Sequence, residues 1–386
     1  MTTDDLPNPG LLPAGLMDLL PPEAEREAAL VEAMMEAFAG HGYERVKPPL
    51  LEFEDSLLAG SGAAVAEQTF RLMDPVSQRM MGLRADTTPQ VARIAATRLG
   101  LQARPLRLCY AGQVLRVRGT QLAPARQLPQ AGVELIGSAA PEADAEVALV
   151  AVEALERVGV PTPSLDVTLP TMAPALLEAG GVAPRLAQRL ARALDRKDAA
   201  AVSALAAEAG PPAAVLPALL EAAGPAEGAL AALAAAALPP AARAIADNAA
   251  AVIAAIGARA PNLRITLDPV EFRGFRYHVG VAFTLYGPGN TGELARGGRY
   301  MSLNDEPATG MTLYPDAVLR AAPVPAQRHR VFIPLGADPA AARALRAQGH
   351  ATVAALSPAD APGPLRCTHV LQEGRIVPLP RLAEKD

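Results

Sequence analysis

The stretch from Gly112 to Gly137 constrains the fold of this chain more than any other. Two β-like runs, Leu106 to Val117 and Gln127 to Ile136, flank a loop holding Gly119 and Pro124, and this spacing predicts a long-looped antiparallel hairpin. In the second run Gln130, Gly132 and Glu134 recur with period two, so an amide, a gap and a carboxylate share one face while Val133 and Leu135 take the other. A sheet is therefore required, with one apolar face to cover. The polar face reads as a ligand floor: amide and carboxylate offer donors and acceptors, and the missing side chain at Gly132 leaves room above the backbone. Arg116, near the end of the first run, adds a forked cation suited to a carboxylate or phosphate. The same pattern equally fits the solvent face of a half-buried sheet.

At 386 residues the chain has length for two or three domains. Aromatic residues are only 3% and Trp is absent, so the core must be built from Leu, Val and Ala and be rather helical. A formal charge of -5 provides no overall field for nucleic acid. Lys47, Lys197 and Lys385 are the only lysines, and no Gly-x-x-x-x-Gly-Lys-Ser/Thr phosphate cradle occurs. Cys109 and Cys367 share no ligand spacing with His41, His278, His329, His350 and His369, which predicts reduced thiols, no metal and no cofactor. Asp4 and Asp5 stand where a signal peptide needs basic residues, and no apolar run approaches the ~20 residues of a membrane span, so a cytoplasmic protein is expected.

Along the chain, Leu30, Met34 and Phe38 predict a helix from Pro21 to Gly40, followed by a strand over Tyr43 to Val46 and then Pro48-Pro49-Leu50-Leu51-Glu52. Phe70 to Met73 and Arg79 to Leu83 form a hairpin-like pair through Asp74-Pro75. Asp86 and Thr88 lie two apart, and Thr88-Pro89 reads as the N-cap and first position of a helix. An acidic helix over about 142–158 and a strand within 160–170 follow. Residues 171–260 are Ala-rich with Leu at helical spacing, broken by Gly and Pro pairs, and predict a bundle of short helices. Strands resume at Leu263 to Leu267. After Pro323 and Pro325 the order strand, helix, strand and hairpin predicts a small α/β module.

Several of these words resemble class II aminoacyl-tRNA synthetases of the histidyl type. Arg116, the loop and Arg126-Gln-Leu-Pro-Gln130-Ala-Gly-Val-Glu134 resemble the second class II motif; the helix and Pro-Pro-x-x-Glu52 unit resemble the first, which dimerises; Gly297-Gly298-Arg299-Tyr300 is a word of the histidyl relatives. The resemblance implies an α+β fold: a class II antiparallel sheet flanked by helices (1–170 and 261–325), a helical insertion (171–260) and a truncated anticodon-domain-like βαβ module (329–386). It also implies a histidine site, with Asp86 and Thr88 toward the ammonium, Arg116 toward the carboxylate, Gln130 and Glu134 on the ligand, and Arg273, Tyr277 and His278 from Arg273-Gly-Phe-Arg276-Tyr-His278, which resembles the family's Arg-Gly-Leu-Asp-Tyr-Tyr.

The departures cluster on the nucleotide side. Asp316 is followed by Ala317 where the third motif carries an arginine, and alanine supplies neither charge nor stacking plane. Arg276 replaces an acid. The C-terminal module is about half the usual size and holds Phe332 as its sole aromatic, too little for base stacking. Ligand-side words kept and nucleotide-side words lost resemble the synthetase paralogues that regulate ATP phosphoribosyltransferase. That resemblance implies a non-catalytic subunit with no catalytic residues of its own, a short-form catalytic chain as partner, a homodimer within a hetero-oligomer, histidine as ligand, and no tRNA. A true histidyl-tRNA synthetase and a stand-alone histidine sensor are the alternatives.

Overall fold

A computed structural model describes residues 10–119, 124–271, 277–289, 292–324 and 328–380. The chain divides into two compact units, Met1–Pro323 and Val324–Asp386.

The first unit opens with α1 (Glu23–Gly40), whose Leu30, Met34, Met35 and Phe38 are buried on one stripe. Glu23 and Glu25 sit in its first turn, where the helix dipole favours them. Short strands β1 (Glu44–Arg45) and β2 (Leu51–Phe53), the single turn α2 (Glu54–Leu57), and the hairpin β3 (Arg71–Met73) with β4 (Met80–Leu83) follow. Asp74 fastens the hairpin turn by accepting from the backbone of Val76 and Ser77, both at 3.1 Å. Next come α3 (Thr88–Thr97), β5 (Leu106–Leu115), β6 (Gln127–Ile136), α4 (Pro141–Arg157) and β7 (Ser164–Thr168).

The Ala-rich segment folds as α5 (Met172–Ala179), α6 (Pro184–Asp195), α7 (Ala199–Ala209), α8 (Leu216–Glu221), a two-residue β8 (Gly224–Pro225), α9 (Ala226–Ala235) and α10 (Pro240–Arg259). One expectation fails here. Helix α10 is, by length and composition, apolar enough to cross a membrane, because alanines carry its apolarity. It packs on α4, α5 and α9 and buries the stripe Ala242, Ala246, Ala249, Val252, Ile253 and Ile256 in the main core.

β9 (Arg264–Asp268), β10 (His278–Tyr286), β11 (Glu293–Met301), β12 (Pro307–Leu313) and α11 (Pro315–Ala321) complete the unit. Nine strands form its main sheet in the order β1-β5-β6-β12-β11-β10-β7-β9-β8. The central pairs are antiparallel; β1 with β5 and β7 with β9 are parallel. The hairpin pairs Gly112 with Gln130, Tyr110 with Gly132 and Leu108 with Glu134. Val133 and Leu135 join the large core with α1 and α4, whereas Ile136, Tyr110 and Tyr300 form a second cluster with Val91 and Ala95 of α3. Adjacent residues of β6 thus face different layers.

In the second unit β13 (Arg330–Ile333), α12 (Pro339–Ala347) and β14 (Ala351–Ala354) make a parallel βαβ, and β15 (His369–Gln372) pairs antiparallel with β16 (Arg375–Pro378). Asp338 caps α12 by accepting from Ala340 N at 2.8 Å.

Candidate functional site

A small cavity of about 10 Å³ opens on the polar face of the sheet, lined by Asp86, Arg116, Gln130, Tyr277, His278, Arg296, Gly297, Thr312 and Tyr314. That volume is about one water, so in this conformation the site is closed.

Gln130 is 3% exposed and its amide is engaged at both its oxygen and its nitrogen. Its Oε1 accepts from Thr87 N at 3.1 Å and Thr87 Oγ1 at 2.9 Å, and its Nε2 donates to Asp86 Oδ1 at 3.0 Å. Thr87 N also donates to Asp86 Oδ1, at 2.8 Å. The amide thereby fixes the orientation of the Asp86 carboxylate, and Oδ2 has no hydrogen-bond partner among the described residues. Arg116 reaches the cavity from the end of the hairpin, with its backbone N donating to Arg126 O at 2.8 Å and its Nε to Ala85 O at 3.4 Å. One carboxylate and one guanidinium therefore border the same polar space, the charge pattern that complements an amino-acid zwitterion.

Thr88 and Glu134 lie beneath this wall and not on it. The N-cap of α3 is Thr87, not Thr88 as the Thr-Pro word predicts, and it makes no side-chain cap. Thr88 Oγ1 is thereby available to donate to Glu134 Oε1 at 2.8 Å, while Tyr300 Oη donates to Oε2 at 2.9 Å. Glu134 is fully buried. Burial pushes its carboxyl up to about 8, against the pull of the Thr88 and Tyr300 hydrogen bonds and with a smaller upward push from Asp86. It is largely protonated near neutrality.

The gap expected above Gly132 is filled from the neighbouring strand. A Cβ there would lie 2.5 Å from Tyr110 Oη and 2.7 Å from Met311 O, so the glycine makes room for the tyrosine. Tyr110 Oη in turn bonds Thr312 Oγ1 at 2.7 Å. Gly310 has the same purpose for Glu134, whose Oε2 a Cβ would overlap.

Tyr277 and His278 stand side by side, ring centroids 4.6 Å apart, and Tyr277 meets Tyr300 edge-on at 5.9 Å. Burial lowers His278 to about 4, with the Arg296 charge adding to it, so the imidazole is neutral at physiological pH. Arg273 and Arg276 lie outside the described residues. Of the remaining predicted residues, the cavity gathers Asp86, Arg116, Gln130, Tyr277 and His278 on its wall, with Thr88 and Glu134 behind it. Sequence reasoning assigned no site role to Arg296, Gly297, Thr312 and Tyr314. Arg296 shares its strand face with Tyr300, a period-two signal that begins one residue before the Gly297-Gly298-Arg299-Tyr300 word. Ala317, at the start of α11, is 5% exposed and packed in the main core.

An antiparallel sheet carrying a small polar cavity bordered by a carboxylate and a guanidinium is the arrangement of a class II synthetase-type core, and the family model described as histidyl-tRNA synthetase matches residues 15–318. The regulatory subunit of ATP phosphoribosyltransferase from Paramagnetospirillum magneticum is 58% identical over 355 residues, 92% of this chain and 93% of that one. The chain belongs to the histidyl-tRNA synthetase family and, within it, to the regulatory subunits of ATP phosphoribosyltransferase. A solved structure described as an ATP phosphoribosyltransferase regulatory subunit/histidyl-tRNA synthetase, from Bacillus halodurans, superposes with a TM-score of 0.78 over 93% of this chain and 96% of that chain at 24% identity. An ATP phosphoribosyltransferase complex from Thermotoga maritima contributes a chain at TM-score 0.59 and 16% identity, covering 75% of this chain and 97% of that chain. Both structures share the fold.

Proposed function

We propose that this chain is the histidine-sensing member of a two-component ATP phosphoribosyltransferase, acting on a separate short catalytic chain in the cytoplasm without contributing a catalytic side chain and without charging tRNA. The observation that carries the histidine reading is the meeting of Asp86, Arg116, Gln130, Tyr277 and His278 on one cavity. Asp86 suits the ligand ammonium and Arg116 its carboxylate, each through a charge-assisted hydrogen bond. The neutral His278 ring and Tyr277, tilted 50° to each other, offer two aromatic surfaces to an imidazole. Thr88 and Glu134 hold that wall from behind, and Arg273 is the further cation expected from the sequence. The closed cavity must widen as ligand enters, so binding and a change of side-chain packing are one event.

A catalytic chain as partner is supported by the regulatory-subunit family and by the named complex among the structural relatives. Homodimerisation through α1 and the strand after it is supported by exposed apolar side chains in the segments that flank this unit in the sequence, Leu20 at 66% and Leu50 at 55% exposure. Calorimetry with histidine on the wild type and on Asp86→Asn tests the ligand. Binding to the wild type with about 10-fold or greater loss in the variant is expected for one charge-assisted contact. Equal binding by both would place the ligand elsewhere. Co-elution with a short catalytic chain, and its absence, decides the partner.

A further inference from the structure

Arg84 stands two residues before Asp86 and is 6% exposed. Among the described residues its guanidinium meets backbone carbonyls and no carboxylate. Glu52, whose charge reaches it, is already paired with Arg93, which donates from Nε to Glu52 Oε2 at 2.8 Å. Burial lowers the Arg84 guanidinium from its ordinary range, with Tyr110 and Glu52 drawing it back. Desolvating a cation is expensive, and an apolar side chain would fill this space at less cost. What the guanidinium supplies instead is a fork. Its Nε donates to Gln113 O of β5 at 2.7 Å and its Nη1 to Pro48 O at 3.2 Å, so one plane joins two segments distant in sequence. Gly112 makes room for it, since a Cβ there would overlap Arg84 Nη2.

The backbone of Arg84 is held as well. Its N donates to Leu50 O at 3.1 Å, and its O accepts from Leu115 N at 3.0 Å. One residue on, Ala85 O accepts from Arg116 Nε at 3.4 Å; one residue further, Asp86 is bonded by Gln130 Nε2 at 3.0 Å and Thr87 N at 2.8 Å. Gln130 is the β6 partner of Gly112, the residue on which the Arg84 guanidinium lies. Residues 84–86 thus run alongside the end of the hairpin, and the carbonyl that receives Arg116 sits between two anchored neighbours. Without the fork, Asp86 keeps its Gln130 and Thr87 bonds. The Ala85 carbonyl loses its anchor on the Arg84 side, and with it the Arg116 guanidinium loses its direction. Asp86 and Arg116 are the carboxylate and the guanidinium that border the polar cavity.

We infer that Arg84 is a positioning residue that aims the Arg116 guanidinium relative to the Asp86 carboxylate, and that the cavity thereby selects a free α-amino acid over an amine with the same side chain but no carboxylate. The proposal deepens the histidine reading and rests on it for the identity of the side chain.

The test compares calorimetry of histidine with that of histidinol, which keeps the ammonium and the ring and lacks the carboxylate, on the wild type, Arg84→Met and Arg84→Lys, with backbone hydrogen exchange alongside. The wild type should prefer histidine by about 10-fold or more, the effect of one charge-assisted contact. Arg84→Met should weaken histidine by about 10-fold and histidinol by no more than about threefold, so that most of the preference disappears, and the Leu115 amide should exchange faster. General loosening of the fold would weaken both ligands alike. That result overturns the inference, as does a wild type without preference or an Arg84→Met that keeps it. Arg84→Lys retains a charge but has no planar fork for two carbonyls, and should lose the preference with Arg84→Met. Full preference in Arg84→Lys would show that charge alone suffices and would overturn the positioning role. Should the wild type bind neither ligand, the functional reading falls and exchange alone decides: an unchanged Leu115 rate in Arg84→Met overturns the hold, and a faster one supports it. Should Arg84→Met not fold, Gly112→Ala, which crowds the guanidinium off β5 and keeps its charge, carries the comparison by the same readouts.

Discussion

Two carboxyl groups, Asp144 and Glu134, are both 0% exposed and lie against opposite faces of the same sheet, yet they are stabilised in different ways. Asp144, in the first turn of α4, meets Arg299, whose Nε donates to Oδ2 at 3.1 Å and whose Nη2 lies 2.9 Å from the same oxygen. Thr309 Oγ1 donates to its Oδ1 at 2.5 Å. Burial pushes Asp144 upward while Arg299 pulls it back. Glu134 has hydroxyl partners only, and its charged neighbour Asp86 adds to the push. The face toward α4 locks a helix with a paired ion; the face toward α3 keeps a carboxyl close to neutral next to a polar cavity. Neighbouring residues of one strand, Arg299 and Tyr300, supply these two environments, because alternate side chains leave a strand on opposite sides.

Breaking the ion pair should have the largest effect. Arg299→Met leaves Asp144 buried and unpaired and strands the carbonyls of Ser138 and Ala140, which accept from Arg299 at 2.8 and 2.9 Å. A loss of about 3–5 kcal/mol in urea unfolding at pH 7 is expected. The deficit should shrink in acid, as Asp144 takes up a proton. A deficit below about 1 kcal/mol would show that the pair holds nothing.

Glu134 predicts the opposite pH response. Its folded value of about 8 exceeds the ordinary 4.5, so between these values the native state holds more protons than the unfolded state. Its contribution to stability is present below the unfolded value and is lost as pH rises through the folded one. Relative to Glu134→Gln, the wild type should lose up to about 1.4 kcal/mol per pH unit across this window. A flat difference curve from pH 5 to 8 would mean the carboxyl is ionised and stabilised by something other than its hydroxyl partners.

Ala317→Arg asks whether the nucleotide side can be rebuilt. Ala317 is packed beside Val318 in the main core, so an arginine there must displace its neighbours at a cost of about 1–3 kcal/mol. No histidine-dependent ATP–pyrophosphate exchange should appear. Exchange clearly above background with the wild-type chain would overturn the non-catalytic reading, and exchange gained by Ala317→Arg would show that the missing arginine alone silences the site.

Much of the fold was legible because its determinants are local. The 3.6-residue spacing in α1 and the Gly/Pro breaks of the insertion each mark an element without reference to distant chain. The two faces of β6 were legible as well. What filled the polar face was not. Tyr110 above Gly132 comes from β5, and Tyr300 reaches Glu134 across 166 positions of sequence, so no count along β6 could show that the glycine gap was occupied or that the glutamate was already bonded. The Thr88-Pro89 pair illustrates the same limit. Capping was the local expectation, but the helix begins one residue earlier and the Thr88 hydroxyl joins a tertiary contact instead.

The smallest effect sharpens the comparison most. Thr309 and Thr88 each offer a hydroxyl to one of the two carboxyl groups, and each is replaced without change of shape by valine. A hydrogen bond to an ionised group contributes about 1.5–3 kcal/mol, one between neutral groups about 0.5–1.5. At pH 6, where Glu134 is protonated, Thr88→Val should therefore cost less than Thr309→Val by about 1 kcal/mol. Raising the pH to 9 ionises Glu134 and should bring the cost of Thr88→Val up toward that of its counterpart, while Thr309→Val should change less, because its partner Asp144 is paired with Arg299. Thermal unfolding of the two variants at both pH values reads this directly. If the Thr88→Val cost is independent of pH, the Glu134 carboxyl does not change its charge in this range, and the contrast between the two faces of the sheet lies in packing alone.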